Sequence, residues 1–459
     1  YLYRYPIYVE SNRVRRQIET DIFRRIHASA STTWSDFMNG LGRRVLFFSI
    51  GLLLTALPAH AGGLWMYEQA TPDMGVGGAG RQAAGMDAST AGGNPAAMTR
   101  LDRSQLQAGF MGIYPDIKFD VESSTFGGND GGNAGYFSPV PTLYYVHSVS
   151  PDLKLGLGVG SYFGLGLSYS NEWAGKYYVQ SASFTTAAVN PTIGYKIAPW
   201  LSIGGGVNVV QGKLSERVAV NTLLEPNDGR LKYDASDVGY GYNLGVLFEL
   251  SPQTRVGVTY VSEVKLEFKD DLRFKNLDGT GLGALLRLSG LLDAQLKIDM
   301  TIPAQLSVGA YHALTDKLAL VGTVNWQNWS RFGAPEIAVA DSNTVTADLD
   351  YQDTYHAGIG AYYRVAEPWL LMVGFGYDTS PTSSSSQRSP ILPLGATFTY
   401  SAGVQYDWNK DFSIGMAYAL IDAGSAKVNR SGGLLKGDLE GEYDTNFIHA
   451  VNLNFVYRF

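Results

Sequence analysis

The C-terminal segment from Asn446 to Phe459 constrains this chain more than any other part. Val451, Leu453, Phe455, Tyr457 and Phe459 share one parity, while Asn452, Asn454 and Arg458 take the other. A strand sends alternate side chains to opposite faces, so this is a strand with one apolar face and one polar face. Lipid outside and a wet lumen inside would give that pattern, as in a transmembrane β-barrel. A soluble sheet can alternate too, but it rarely finishes on an aromatic at the last residue.

Composition agrees. No linker divides the chain after its N-terminal region, so one large barrel over 102–459 fits better than several soluble domains. Gly is abundant at 54 residues and Tyr at 29, and only 17% of residues are charged. Tyrosines suit the two bilayer interfaces, where an apolar ring and a wet hydroxyl are both accommodated. The net charge of -7 argues against nucleic acid as a partner, and the absence of Cys excludes disulfides and thiol chemistry. The six histidines, His27, His60, His147, His312, His356 and His449, are scattered without metal-ligand spacing. No metal, cofactor or catalytic residue is expected. A terminal Phe459 with aromatics two and four residues earlier resembles the C-terminal signature of bacterial outer-membrane barrels, which implies the barrel-assembly machinery as a partner.

An export signal lies near the N-terminus. Arg43-Arg44 precede the apolar run Val45–Leu54, and Ala59-His60-Ala61 places small residues where a signal peptidase reads. The run is too short for the about 20 residues of a transmembrane helix. We therefore expect a signal peptide over 38–61, started by Met38, and an upstream extension over 1–37 that is not native to the protein.

Residues 62–101 are rich in Gly and Ala and show neither strand nor helix period. Gly75-Val76-Gly77-Gly78-Ala79-Gly80 matches the dinucleotide fingerprint by letter, yet Thr71-Pro72-Asp73 precedes it where a strand is required, and antiparallel β sequence follows. Nucleotide binding is rejected. Glycines in this density suit a compact, tightly turned plug.

Alternating segments split by turn signals fall near 105–120, 139–149, 153–169, 181–197, 200–220, 234–250, 254–269, 297–312, 317–331, 351–364, 368–379, 396–408, 411–427 and 442–459. That is about fourteen strands, an even number as bacterial barrels require. Val256, Val258, Tyr260, Val264, Leu266 and Phe268 hold one parity through a strand longer than a bilayer crossing, so its charged end should project beyond the membrane. The fold expected is all-β: a transmembrane antiparallel barrel with an N-terminal hatch in its lumen.

Several ordered tags narrow the class. They include Asn94-Pro95-Ala96-Ala97-Met98, Ser262-Glu263-Val264-Lys265, Ile302-Pro303, Trp329-Ser330-Arg331-Phe332, Tyr351-Gln352-Asp353, Gln387-Arg388-Ser389 and Trp408-Asn409-Lys410-Asp411. Together they resemble the FadL/TodX family of outer-membrane transporters for long-chain fatty acids and aromatic hydrocarbons, over essentially the whole mature chain. The resemblance implies passive uptake across the outer membrane of a Gram-negative cell. The steps implied are capture on an outer loop, binding in an interior pocket, a hatch shift, and lateral exit through a kinked wall strand into outer-membrane lipid.

Site residues follow from that likeness and from local chemistry. The leucines of 270–296, among them Leu285, Leu288 and Leu292, form nearly a helical stripe, and an exposed apolar patch marks a binding surface. A loop helix merely packed on its neighbours is the alternative. Carried over from the family, Asp353, Arg388 and Lys196 would meet a ligand head group, with Lys196 standing where the family has an arginine and so lacking its bidentate fork. Ordinary lumen charges that pair with one another would look the same. Asn94, Pro95 and Ala96 would form the gate, facing a kink at Gly164 and Gly166; Asn190-Pro191 is a rival site for the irregularity. The expected function is transport of long-chain fatty acids by a monomer, not an enzyme. Aromatic hydrocarbons or alkanes are the alternative ligands. A surface adhesin or phage receptor without transport is the alternative of another class, followed by an open porin and an outer-membrane lipase.

Overall fold

The computed structural model describes residues 69–459 except 162, 224, 293, 340–344, 347–348, 383, 385, 387 and 392–394. The expected upstream extension and signal peptide, the first residues of the hatch, and Gln387 lie outside the described residues.

Antiparallel pairing runs through β1 (Gln105–Ser124), β2 (Ser138–Ser148), β3 (Leu153–Gly160) with β4 (Gly164–Ser168), β5 (Ser181–Ala198), β6 (Leu201–Val220) and β7 (Gly229–Glu249). It continues through β8 (Thr254–Val261) with β9 (Val264–Asp271), the short β10 (Arg273–Lys275), β11 (Gln295–Ile302) with β12 (Gln305–Ala313), and β13 (Leu318–Gln327) with β14 (Glu336–Val339) and β15 (Val345–Thr346). The circuit ends with β16 (Thr354–Ala366), β17 (Trp369–Asp378), β18 (Thr397–Asp407), β19 (Phe412–Asp422) with β20 (Ala426–Ser431), and β21 (Asp438–Arg458). β1 pairs with β21, Gln105 opposite Arg458, and the sheet closes. With collinear segments counted once, this is a closed barrel of 14 strands, those expected from alternation. Closure removes the unpaired edges that an open sheet of this size would expose.

The terminal strand has the faces its parity requires. Val451, Leu453, Phe455 and Tyr457 are exposed on the outer wall, while Asn452 and Asn454 are buried inside.

The 254–269 segment departs from expectation. It breaks at Ser262-Glu263, and its partner breaks at Pro303-Ala304, where proline cannot continue the ladder. Below the break, Val256, Val258 and Tyr260 lie opposite in parity to the buried Arg255 and Thr259. Above it, Val264, Leu266 and Phe268 are buried and Lys265, Glu267 and Lys269 are exposed. The apolar parity therefore changes face. β9 and β11 join β14 and β15 in a separate four-stranded sheet, whose apolar side packs on inward residues of β5 and β6 such as Phe184 and Leu214.

Residues 69–101 fold inside the lumen as α1 (Thr71–Met74), α2 (Arg81–Ala84), α3 (Thr90–Gly93) and a 3₁₀ segment, Pro95–Arg100. The glycine-rich 75–80 run is a chain of turns in which Gly77, Gly78 and Gly80 have positive φ. Among the described residues it has no strand before it and makes no βαβ unit.

Candidate functional site

The hatch is tied to the wall on several sides. Asn94 caps the 3₁₀ segment: its Oδ1 accepts from the Ala96 N–H at 3.0 Å, and its Nδ2 donates to the carbonyls of Gln82 at 2.6 Å and Val246 at 3.1 Å. Arg255 on β8 donates from Nε and Nη2 to the last carbonyls of α2, Ala83 at 3.0 Å and Ala84 at 3.1 Å, and stacks on the Tyr311 ring at 3.7 Å. Those carbonyls have no partner within the helix, so the guanidinium satisfies them. Thr71 donates to Asn452 at 2.9 Å, and Arg100 pairs with Glu249 at 2.8 Å. The wall is thinned where the hatch backbone touches it. A Cβ on Gly374 would run into the backbone of Val76, and one on Gly257 into the carbonyl of Gln82.

On another side the barrel wall is open. β2 pairs with β3 only from Leu143 to Ser148, opposite Val159 to Lys154, so among the described residues Ser138–Thr142 has a ladder partner in β1 alone. The register of β3 on β5 differs by one residue from that of β4: Gly160 lies opposite Ala188, but Gly164 lies opposite Thr185. One extra residue is inserted at the break, as in a bulge. Alternate residues of a strand send their N–H groups to opposite neighbours. Since the ladder to β1 persists through Pro139 and Pro141, the donors these prolines lack belong to the edge facing β4.

A cavity of about 320 Å³ fills the gap, lined by Met74, Ile113, Pro139, Pro141, Leu165 and Ile448 among others. Tyr136 lies over Gly166 at its margin. Beside it, sharing Val159 and Gly160, is a smaller polar chamber of about 70 Å³ lined by Gln69, Arg81, Asn190, Asn208, Asn243 and Gln305. Arg81 there is paired with Asp73 at 3.3 Å, and the Tyr144 hydroxyl donates to Gln69 at 2.6 Å. Above the cavity, Phe163 from the β3–β4 break packs on Phe184 at 5.6 Å, Trp329 at 5.8 Å and Phe332 at 5.6 Å. These rings belong to an apolar cluster that reaches outward to Leu286 and Leu291.

The expected site residues are scattered across this layout. Gly164 and Gly166 line the gap. Asn94, Pro95 and Ala96 do not: they pack against Gly194, Gly204 and Gly245 of β5, β6 and β7, and among the described hatch residues Met74 lines the gap and Gln69 the chamber beside it. Asn190-Pro191 does not shift the register, since Val189 opposite Val209 and Thr192 opposite Gly206 keep one alignment. Lys196 sits at the short turn between β5 and β6, its N–H donating to the Asp152 carbonyl at 2.9 Å, and lines neither cavity. The Asp353 carboxylate accepts from Trp326 Nε1 at 3.0 Å, the Ser330 N–H at 3.2 Å and the Ser330 hydroxyl at 2.8 Å, which fixes α5 (Trp329–Phe332). Arg388, in the outer β17–β18 loop, donates to the Lys427 carbonyl at 3.0 Å; burial lowers its pKa, and its Nε has no partner among the described residues. The leucine stripe is a helix, α4 (Gly281–Leu288), capped by Thr280. Leu286 points inward, Leu292 is partly buried, and Leu285 and Leu288 are exposed at 39% and 88%.

Sequence reasoning missed the gap's own edge. Pro139 and Pro141 are an edge-strand signature inside a barrel that should have no edge, and that contradiction was the available signal.

A closed barrel with an apolar outer wall, a pinned internal plug and an apolar cavity at a break in the wall defines a plugged outer-membrane channel protein. Residues 52–459 match the family described as outer membrane protein transport protein (OMPP1/FadL/TodX), and the chain belongs to it. A long-chain fatty acid transport protein of Salmonella typhi is 26% identical over 88% of this chain and 97% of its own length. Outer membrane protein P1 of Haemophilus influenzae is 27% identical over 81% and 88%. In fold, the chain resembles a Pseudomonas aeruginosa FadL homologue, with TM-score 0.78 and 21% identity over 85% of this chain and 98% of that one. It also resembles the P. putida toluene transporter TodX, with TM-score 0.65 and 18% identity over 85% and 98%. The family is one of transport proteins acting on hydrophobic compounds at the outer membrane, not a family of enzymes.

Proposed function

We propose that this chain takes up long-chain fatty acids as a passive, non-enzymatic monomer and releases them sideways into outer-membrane lipid through the gap between β2 and β4. The observation that carries the reading is the junction of the two cavities at Val159 and Gly160. An alkyl tail matches the apolar cavity, and a polar head matches the chamber of asparagine, glutamine and arginine side chains beside it. A polar head can add hydrogen bonds to these side chains that a plain hydrocarbon cannot make, which favours an amphiphile.

The route begins at the exposed leucines of α4, passes the aromatic cluster of Phe163, Trp329 and Phe332, and ends at the gap. Asn94-Pro95-Ala96 serves as the fixed anchor of the hatch, and movement belongs to the segment carrying Gln69 and Met74. Residues 62–101 then act as the hatch unit and 102–459 as the barrel, delivered by a signal peptide over 38–61 and assembled through recognition of Phe459.

The test is uptake of labelled oleate and of toluene by cells lacking the protein, complemented with wild type or with Gly160→Trp, which fills the junction. Restored oleate uptake that the tryptophan abolishes in a correctly inserted barrel supports the reading. Restored toluene uptake without oleate uptake makes hydrocarbons the ligand. Equal uptake in all strains overturns transport and leaves a surface receptor.

A further inference from the structure

The outer wall carries a cationic cluster that the transport route does not use. Arg217 on β6 lies opposite Lys232 on β7, and Lys232 lies opposite Arg273 on β10. One step further out, Arg230 lies opposite Lys275. Arg230 and Lys232 share the parity of Val238, Tyr240 and Tyr242, which are exposed on the lipid-facing side of the same strand. The cluster therefore stands on the outer face, beyond the upper aromatic residues of the wall. Like charges directly opposite one another across a ladder are destabilising.

Neighbouring carboxylates compensate only part of it. Arg273 pairs with Asp270 at 2.8 Å, and Asp234 is shared between Lys232 at 3.3 Å and Lys213 at 3.5 Å. Arg217, Arg230 and Lys275 have no ion pair among the described residues, and the Nε of Arg217 is buried without a hydrogen-bond partner. This happens in a chain of net charge -7, so the local excess is not a consequence of composition.

Directly beside the cluster the wall holds a groove. β7 pairs with β10 up to Lys232 and with β8 from Asn243, so the stretch between has no ladder partner on that side among the described residues. β9 stands off it, leaving an outward groove of about 660 Å³ lined by Ser236, Val238, Tyr240, Lys265 and Lys269, with Asp237, Glu263 and Glu267. Those acids are engaged: Asp237 accepts the Glu267 N–H at 2.7 Å, Glu267 pairs with Lys269 at 3.0 Å and Lys297 at 3.5 Å, and Glu263 lies 3.9 Å from both Lys265 and Arg331.

We propose that this face binds a phosphorylated glycolipid of the outer leaflet. Its phosphates are held by Arg217, Arg230 and Lys275, its sugars by the polar groove, and its acyl chains lie along Val238, Tyr240 and Leu244. Guanidinium and ammonium groups form charge-assisted bonds to phosphate. A lipid is favoured over a soluble anion because the cations, the groove and the aromatic residues form one continuous strip running down into the apolar wall.

The test uses the purified full chain in mixed micelles, titrated with a hexa-acyl disaccharide lipid bearing two phosphates and with the same lipid dephosphorylated. The phosphorylated lipid should bind more tightly. R217Q/R230Q/K275Q should weaken it at least about tenfold, the equivalent of one charge-assisted bond. Equal binding of the two lipids, or unchanged binding by the triple variant, overturns the proposal. If the variant does not fold, salt dependence on the wild type decides: binding that weakens between low and high salt supports phosphate recognition, and binding indifferent to salt overturns it.

Discussion

The side-chain amide of Asn190 donates to the carbonyl of Val207 at 3.0 Å, the acceptor that the next residue, Pro191, cannot serve because it has no N–H. The proline removes one bond from the β5–β6 ladder, and the residue before it supplies a substitute. The register survives on both sides as a result. Asn190→Ala removes the substitute and leaves the Val207 carbonyl without that donor, a cost of up to about 1–3 kcal/mol. The urea midpoint for refolding into lipid should fall accordingly. An unchanged midpoint would mean that another group or water already serves Val207.

Restoring donors should close the wall. Pro139→Thr with Pro141→Thr gives the free edge of β2 two N–H groups aimed at β4. We expect the new amides at positions 139 and 141 to be protected from exchange and uptake to fall to that of cells lacking the protein, with insertion unaffected. Normal uptake from a variant with a demonstrably paired edge would remove the gap from the route.

Leu288 is 88% exposed, so its truncation should leave stability within about 0.5 kcal/mol. Leu288→Ser should instead raise the ligand concentration needed for half-maximal uptake, with the maximal rate kept. A change in maximal rate alone would assign the helix to a later step.

The hatch seats against bare backbone. Gly374→Val would push Val76 off the wall, and raised conductance in planar bilayers is expected. Gly322→Ala is the control, since its added Cβ meets only the Gly358 carbonyl at 3.6 Å. Equal conductance in both variants would show that the hatch seals without that contact.

Burial lowers Lys436, on α6 (Gly433–Lys436) in the loop before β21, from the ordinary lysine value to about 7, with Glu216 opposing the drop and Arg430 adding to it. Between pH 7 and the ordinary lysine value the unfolded loop holds a proton that the folded loop does not. Stability therefore rises with pH across that window and is lowest below it. Hydrogen exchange of residues 433–437 should slow as pH rises from 7 to 10, after correction for intrinsic rates. Lys436→Met should abolish the trend; a trend that survives the substitution points to a different group.

Some of the site was legible before the structure. The wall strand is irregular close to the expected glycines, its register shift falling between Gly160 and Gly164, while Gly164 and Gly166 themselves keep a regular ladder to β5. Lys196 was not legible: nothing local distinguishes an inward charge beside the ligand from one at a turn. Asp353 likewise reads as a head-group ligand until Trp326 and Ser330 are seen to take up its oxygens.

By itself the sequence determined the barrel, its strand number and the chemistry of each strand face, because period-two alternation is a local property that lipid and lumen impose on every crossing. Which face looks inward was decided by tertiary structure. Tyr260 and Leu266 have the same parity, yet the break at Ser262-Glu263 leaves the first on the wall and buries the second in the core, since β9 leaves the β7 ladder for a sheet of its own. The gap was decided the same way. Proline states only that a donor is missing, and the strand that goes without it is known once the chain has closed on itself.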